Sequence, residues 1–280
     1  MTTRSRIILL LIGLILQPTP LMAQSALEFT GAFVQGGLVI GRTLPGTTVT
    51  HAGRNIQVSD SGVFVLGFDR DAAPRDGLTL DLPDGRTLHR PLSVRQRTYQ
   101  ITRINGLPKR KVTPNAEDLA RIRRDNARIA AVRKIDSPAL DFLTGFRWPV
   151  KGRISGIFGS QRILNGKPRR PHNGVDIAAP MGTPIVAAGD GTVALTDDNM
   201  FLSGKTVMID HGHGLTSVYI HMNNITVVEG QYVRQGQQIG AIGVTGRTTG
   251  PHLHWGINLF GIPLDPKLIV AGDRKMTRTD

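Results

Sequence analysis

The stretch GPHLHWG, residues 250–256, places His252 and His254 two positions apart. In a β-strand alternate residues share a face, so both imidazoles would stand together while Leu253 turns the other way, into a core. A second stretch, HNGVDIAAP, residues 172–180, sets His172 four positions ahead of Asp176. Gly174 between them, with Pro171 and Pro180 on the flanks, favours an extended segment over a helix. A spacing of four returns to the same face in either geometry. SVYIHMNN brings an apolar alternation to His221, where a strand would deliver the ring to a sheet face, and DHGHG sets His211 and His213 among turn-forming residues.

Two neutral imidazoles and one carboxylate form a three-ligand set suited to zinc, with the fourth position open to water. Zinc lowers the pKa of that water to about 7 and polarises a carbonyl oxygen. One of His252 and His254 can hold the metal while the other faces the space above it. A further histidine can take or give a proton or hold a developing oxyanion. The chemistry this suits is metal-assisted amide hydrolysis. A single histidine in a strand is most often a surface or hydrogen-bonded residue. It is the combination within one Gly-rich β region that points to a metal. The chain has no GxSxG elbow and no cysteine, so covalent hydrolase chemistry has no support.

These residues need strands to hold them, and the surrounding text supplies strand signals. From Phe146 onward, GTPIVAAGDGTVAL, KTVMIDHGHGLTSVYIHM and GQQIGAIGVTG read as β segments joined by Gly-rich turns. Residues 27–104 read as a separate run of short strands, with Asp84-Gly85 at the tip of a hairpin and an apolar run from Val63 to Leu66. Strands of this length, punctuated by Gly and Pro, suggest a small sandwich. His51 and His89 fall here without a ligand partner nearby in sequence and are expected at the surface. Between the two regions, residues 105–145 are a linker with a helix over about 114–135. Thr113 can cap it, Pro114 suits its first turn, and Pro138 ends it. Ala116, Leu119, Ile122, Ile129 and Val132 form one apolar stripe, and Arg121, Arg123, Arg124, Arg128, Arg133 and Lys134 occupy the other faces. Such a helix either touches an anionic partner or docks by its stripe with solvated arginines outside. Residues 271–280 form a tail.

The chain of 280 residues begins with Arg4 and Arg6, the apolar run Ile7 to Leu16, and LMA before Gln24. This is the pattern of a secretory signal over residues 1–23, too short to span a bilayer. The mature chain is then expected to carry no transmembrane segment. Without cysteine there is no lipid attachment at the signal, no disulfide and no thiolate metal site. The formal net charge of +13 attracts polyanions such as wall carboxylates, anionic wall polymers or lipid headgroups. Nucleic acid is ranked low, because export and the absence of a nucleic-acid motif oppose it.

Taken with its neighbours, FGSQR…HNGVDIAAPMGTPIVAAGDGTV…VMIDHGHGLTSVYIHM…VVEGQYVRQGQQIGAIGVTGRTTGPHLHWGI resembles the LytM/lysostaphin-type zinc peptidases of bacterial cell walls, the M23 family, over roughly residues 147–267. The resemblance implies zinc held by His172, Asp176 and His254, with His221 and His252 as the non-ligand catalytic pair. It implies cleavage of peptide cross-links in peptidoglycan, in a groove of antiparallel β-sheet. It further implies that Arg162 contacts a substrate carboxylate and that His211 lines the groove or supports its loop. His213 has no implied role. Some relatives have lost zinc ligands and activate amidases; here all five positions are filled. Residues 27–104 more loosely resemble bacterial immunoglobulin-like modules, which could bind wall, bind a partner or cover the groove. VVEGQYVRQGQQIG also resembles biotinyl and lipoyl carrier domains, but residues 227–246 contain no lysine to carry a cofactor. The expectation is a mainly β chain: an antiparallel sheet-groove domain over 146–270, preceded by a small β-sandwich-like domain and a connecting basic helix. Its expected function is that of an exported, periplasmic zinc endopeptidase acting on peptidoglycan stem peptides, with an amidase or a division or wall-synthesis protein as candidate partner. The alternative is a non-catalytic peptidoglycan-binding or amidase-activating module.

Overall fold

A computed structural model describes residues 27–104 and 116–270. The expected signal, the cap at Thr113 and Pro114, and the tail at 271–280 lie outside the described residues. The N-terminal part runs through β1 (Leu27–Gly31), β2 (Leu38–Thr43), β3 (Thr48–His51), β4 (Arg54–Ile56), β5 (Val63–Gly67), β6 (Arg75–Asp81) and β7 (Thr87–Ser93). They form two antiparallel sheets, ordered β1-β2-β5 and β4-β3-β6-β7. The hairpin at Asp84-Gly85 joins β6 to β7, with Asp81 opposite Thr87.

The run VFVL in β5 shows no polar alternation because both of its faces are covered. Phe64 and Leu66 enter the sandwich core with Val39, Val49, Leu78 and Leu80. Val63 and Val65 turn the other way and join the core of the C-terminal half, packed with residues such as Leu259 and Leu264. The β1-β2-β5 sheet is therefore a middle layer shared by both halves. His51 departs from the surface expectation: it is half-buried, 2.8 Å from Asp76 and edge-on to Phe68. The sequence separation of 25 residues hid that partner. His89 is exposed, as expected.

After the sandwich the chain forms β8 (Ile101–Ile104) and helix α1 (Ala116–Val132). Val132 is buried and Ile122 and Ile129 are half-buried, so the stripe docks, although Leu119 at its start remains 39 % exposed. Two of the six basic side chains also serve the docking. Arg128 pairs with Asp197, and Arg121 donates to the Asn199 carbonyl. Asp125 accepts from the Phe201 amide at 2.7 Å.

The C-terminal half contains β9 (Arg153–Gly156), β10 (Gln161–Leu164), β11 (Lys167–Pro168), β12 (Val175–Ala178), β13 (Pro184–Val186), β14 (Gly191–Met200), β15 (Gly204–Asp210), β16 (Leu215–Ile225), β17 (Tyr232–Val233), β18 (Gln238–Ile242), β19 (His252–Leu259), β20 (Ile262–Leu264) and the short helix α2 (Pro266–Ile269). Its main sheet is ordered β17-β14-β15-β16-β19-β12-β9, with β18 also on β16, β13 on β18 and β20 on β19. All these pairings are antiparallel. The chain is mainly β with a large antiparallel sheet, as the sequence implies. One small sheet joins the halves: β8 pairs in parallel with β10, which pairs with β11.

Candidate active site

The central strand β19 lies between β16 and β12, and the chemically promising residues converge on this trio. Across the β12–β19 ladder, Asp176 is opposite His254 and Ala178 is opposite His252. Opposed residues share a face, so register alone brings Asp176, His252 and His254 together. Leu253 points away and is fully buried in the core. His172 comes from the loop before β12. Its Nε2 lies 3.0 Å from Asp176 Oδ1 and 2.9 Å from His254 Nδ1, and His254 Nδ1 lies 2.8 Å from the same oxygen.

Three donor atoms thus form a nearly equilateral triangle. A tetrahedral ion with bonds of ~2.0–2.2 Å needs ligand atoms about 3.4 Å apart, so small side-chain rotations would admit one. Among the described residues, His172, Asp176 and His254 are the one group of His, Cys, Asp or Glu close enough to hold a metal. The backbone prepares the donors. His172 donates Nδ1–H to the Ile157 carbonyl at 3.0 Å, which turns Nε2 toward the carboxylate: it donates to Asp176 when the ring is protonated and offers a lone pair to a metal when the ring is neutral. Buried charge is matched by polarity. Burial disfavours the Asp176 carboxylate, but hydrogen bonds from His172 and His254 outweigh it and hold the acid well below the usual range. His172 is pulled down by burial and raised more strongly by Asp176, for a net upward shift, whereas burial dominates at His254 and lowers it.

His221 and His252 stand beside the triangle with ring centroids 4.9 Å apart. His252 Nδ1 is within 2.9 Å of the Gly250 carbonyl and 3.0 Å of Thr248 Oγ1, and its Nε2 is 3.8 Å from Asp176 Oδ1. His221 donates Nδ1–H to the Thr245 carbonyl at 2.8 Å. Burial pushes His221 down to about 4, against the opposing pull of that carbonyl. The strand alternation does not deliver His221 as the sequence suggests. Ile220 is opposite His254, so plain alternation would send the next side chain to the far face, where Tyr219 and Met222 join the core. His221 instead adopts a left-handed φ of +66°, which swings its ring back beside His252. Its amide is held by the Ser203 carbonyl at 2.9 Å.

Of the two roles expected for His211, lining the groove or supporting its loop, its burial fits the second. The ring is fully buried, hydrogen-bonded to the Asp190 carbonyl and at 2.8 Å to Ser217 Oγ, and packed edge-on against Phe146. It is a strut beneath the loop, and burial lowers its pKa. His213 is also buried, 5.4 Å from the Phe142 ring. Arg162 is exposed on β10, and its charge bears on His172. Sequence reasoning missed Thr245, Thr248 and the Ile157 carbonyl, which orient the rings, and Gly156, which lies opposite Asp176 on β9. The TGRTTGPH turn held a signal for Thr248, since a hydroxyl four residues before a histidine can return to it. Backbone carbonyl partners leave no mark in side-chain identity.

Residues 170–266 match the model of peptidase family M23. A Pseudomonas aeruginosa crystal structure assigned to peptidase M23 is similar over 85 % of this chain and 95 % of that one, with a TM-score of 0.67 and 32 % identity. The peptidoglycan DD-endopeptidase ShyA of Vibrio cholerae is 43 % identical over 122 residues, which cover 42 % of this chain and 28 % of ShyA. The DD-carboxypeptidase/endopeptidase Mpg of Neisseria meningitidis is 38 % identical over 128 residues, 46 % of this chain and 29 % of Mpg. The aligned region thus spans less than a third of these curated relatives.

Proposed function

This chain belongs to peptidase family M23, and from that premise we propose that it is an exported zinc endopeptidase that hydrolyses peptide cross-links in peptidoglycan. The observation that carries the proposal is the triangle of His172 Nε2, Asp176 Oδ1 and His254 Nδ1 with two further imidazoles beside it. His172, Asp176 and His254 would hold the ion. A zinc ion there would supply Lewis acidity, bringing a water's pKa to about 7 and polarising the scissile carbonyl.

The remaining chemistry belongs to His221 and His252. With Nδ1–H committed to a carbonyl, each neutral ring presents Nε2 as an acceptor. Either can take a proton from the attacking water, and the imidazolium so formed can pass it to the departing amine nitrogen. Donation to an oxyanion requires the protonated ring. The low pKa of His221 keeps it neutral, and therefore an acceptor, at pH 7. Leu253 fixes His252 and His254 by anchoring β19 in the core between them.

The substrate class is supported by the named activities of ShyA and Mpg and by charge. Lys167, Arg169 and Arg170 are exposed immediately before His172, and Arg162 faces the same ligand electrostatically. Exposed cations of this kind suit the carboxylates of stem peptides. Export is supported by the leader pattern of the first residues, and a periplasmic site by the Gram-negative sources of those relatives. Among the described residues no helix is long and apolar enough to cross a membrane.

The test is incubation of the full chain with cross-linked peptidoglycan, with and without chelator, followed by separation of the released muropeptides. Chelator-sensitive loss of cross-linked species is expected. Tight wall binding without cleavage, by protein carrying stoichiometric zinc, would replace the enzyme with the non-catalytic module.

A further inference from the structure

Asp176 and His254 sit in a hydrogen-bonded ladder, but His172 does not. It depends on the turn at residues 157–160. The Ile157 carbonyl accepts from its ring, the Gly159 amide donates to its carbonyl at 2.8 Å, and its own amide donates to the Ser160 carbonyl at 2.9 Å. His172 can be no better placed than this turn.

The turn in turn leans on the N-terminal part of the chain. Arg70, in the connection from β5 to β6, donates Nε–H to the Gly159 carbonyl at 2.8 Å. The Tyr99 ring lies directly against Gly159: a Cβ there would fall 2.2 Å from its Cδ1. Gly159 also has φ of +76°, so glycine is required twice over. The Gln161 amide donates to the Gln100 carbonyl at 2.9 Å, at the start of the β8–β10 pairing. Tyr99 is itself clamped, with Arg70 4.5 Å and Arg97 5.1 Å from its ring centre. Arg97 continues to Asp265 at 2.8 Å, where that carboxylate also caps α2.

We infer that Arg70 and Tyr99 are positioning residues for the zinc ligand His172, so that the N-terminal module helps to complete the metal site from behind. This rests on the zinc reading above. The module's contact with the site is a brace running from Arg70 through Gly159 to His172. Groups that orient metal ligands typically govern affinity by 10–100-fold, and the ion is sensitive to small displacements of one donor.

The test measures zinc affinity of the full chain by competition with a chromophoric chelator, beside the thermal midpoint of the metal-free protein. Arg70→Ala is expected to raise the zinc dissociation constant about tenfold, with turnover restored at saturating zinc. Arg70→Lys keeps a donor but loses the planar stack and should fall between. Tyr99→Ala removes the ring packed against Gly159 and should likewise raise the zinc dissociation constant; unchanged affinity there would remove Tyr99 from the brace. Asp76→Ala breaks the His51 pair inside the same module, away from the brace, and should leave zinc affinity unchanged. Unchanged affinity in Arg70→Ala, or equal losses in Arg70→Ala and Asp76→Ala, would overturn the inference while leaving the enzyme intact. A wild-type chain that binds no zinc would overturn the proposed function, and the inference with it.

Discussion

Gly156→Ala should disable the metal site with a single methyl group. Gly156 is opposite Asp176 across the β9–β12 pair. A Cβ built there falls 2.3 Å from Asp176 Oδ2, 2.8 Å from its Cγ and 3.1 Å from its Cβ. Ordinary contacts between non-bonded carbon atoms lie at about 3.5–4.0 Å, so the carboxylate must retreat by about 1 Å. It cannot do so freely, because Oδ1 is held at 3.0 Å by His172 and 2.8 Å by His254. Metal sites tolerate departures of only about 0.2 Å in ligand distance. Zinc affinity should therefore fall about 100-fold, or roughly 2.8 kcal/mol. The fold should survive, since Gly156 has no left-handed φ and alanine narrows the unfolded ensemble by about 0.4–1 kcal/mol, offsetting part of the clash. The assay is zinc titration against a chromophoric chelator, with thermal unfolding of the metal-free protein as the control for folding. Gly250→Ala is the matched comparison: it lies two residues from His252, and its Cβ would meet nothing within 4 Å. Zinc affinity within threefold of wild type in Gly156→Ala would refute the assignment of Asp176 as a ligand held in this pose.

Further expectations concern the roles of the histidines and the joining of the two halves. His254→Ala should abolish zinc retention, whereas His252→Ala should retain zinc and lose turnover; loss of zinc from both, measured by metal analysis after dialysis, would contradict the division of roles. Metal-free protein should lose stability as pH falls below 6.5, because the unfolded state gains protons that buried His221, His211 and His254 resist. With His221 near 4, its share at pH 5 is about 2 kcal/mol. His172 shifts upward, so its stabilising contribution is complete below 6.5 and lost only as pH rises through its folded value. Urea unfolding at pH 7 and pH 5 with chelator present reads the difference, and equal stabilities would contradict it. Val65→Ala should cost about 2 kcal/mol, because it hollows the layer shared by both halves. Trp148 and Trp255, both in the C-terminal half, should then report the same shifted midpoint as far-UV circular dichroism of the whole chain. Two separate transitions would show that the halves unfold independently.

Legibility in the sequence follows the distance over which each residue's geometry is decided. His252, Leu253 and His254 could be placed because strand period alone sorts them into one face, another, and the first again. His172 and Asp176 could be grouped because a spacing of four is robust to the choice between helix and strand. His221 could be picked out but not oriented: its face depends on a left-handed residue that no side-chain pattern announces. His211 could be read as lining the groove or supporting its loop, and the sequence could not choose, because the choice depends on adjoining strands that bury it against Phe146 and Ser217. The unbroken VFVL run was visible as an apolar strand, but not the cover on both of its faces, since the second cover lies near residues 253–264. Thr248 and Gly156 fall between these cases, for each was close to a candidate but acts through a contact that only the folded register creates. The same rule explains the brace on His172. Its parts at Arg70, Tyr99 and Gly159 meet a ligand up to about a hundred residues away, and two of its links are backbone atoms. The consequence is functional: a substitution in the sandwich, far from any recognisable motif, can alter metal affinity when it lies on this line and only stability when it does not.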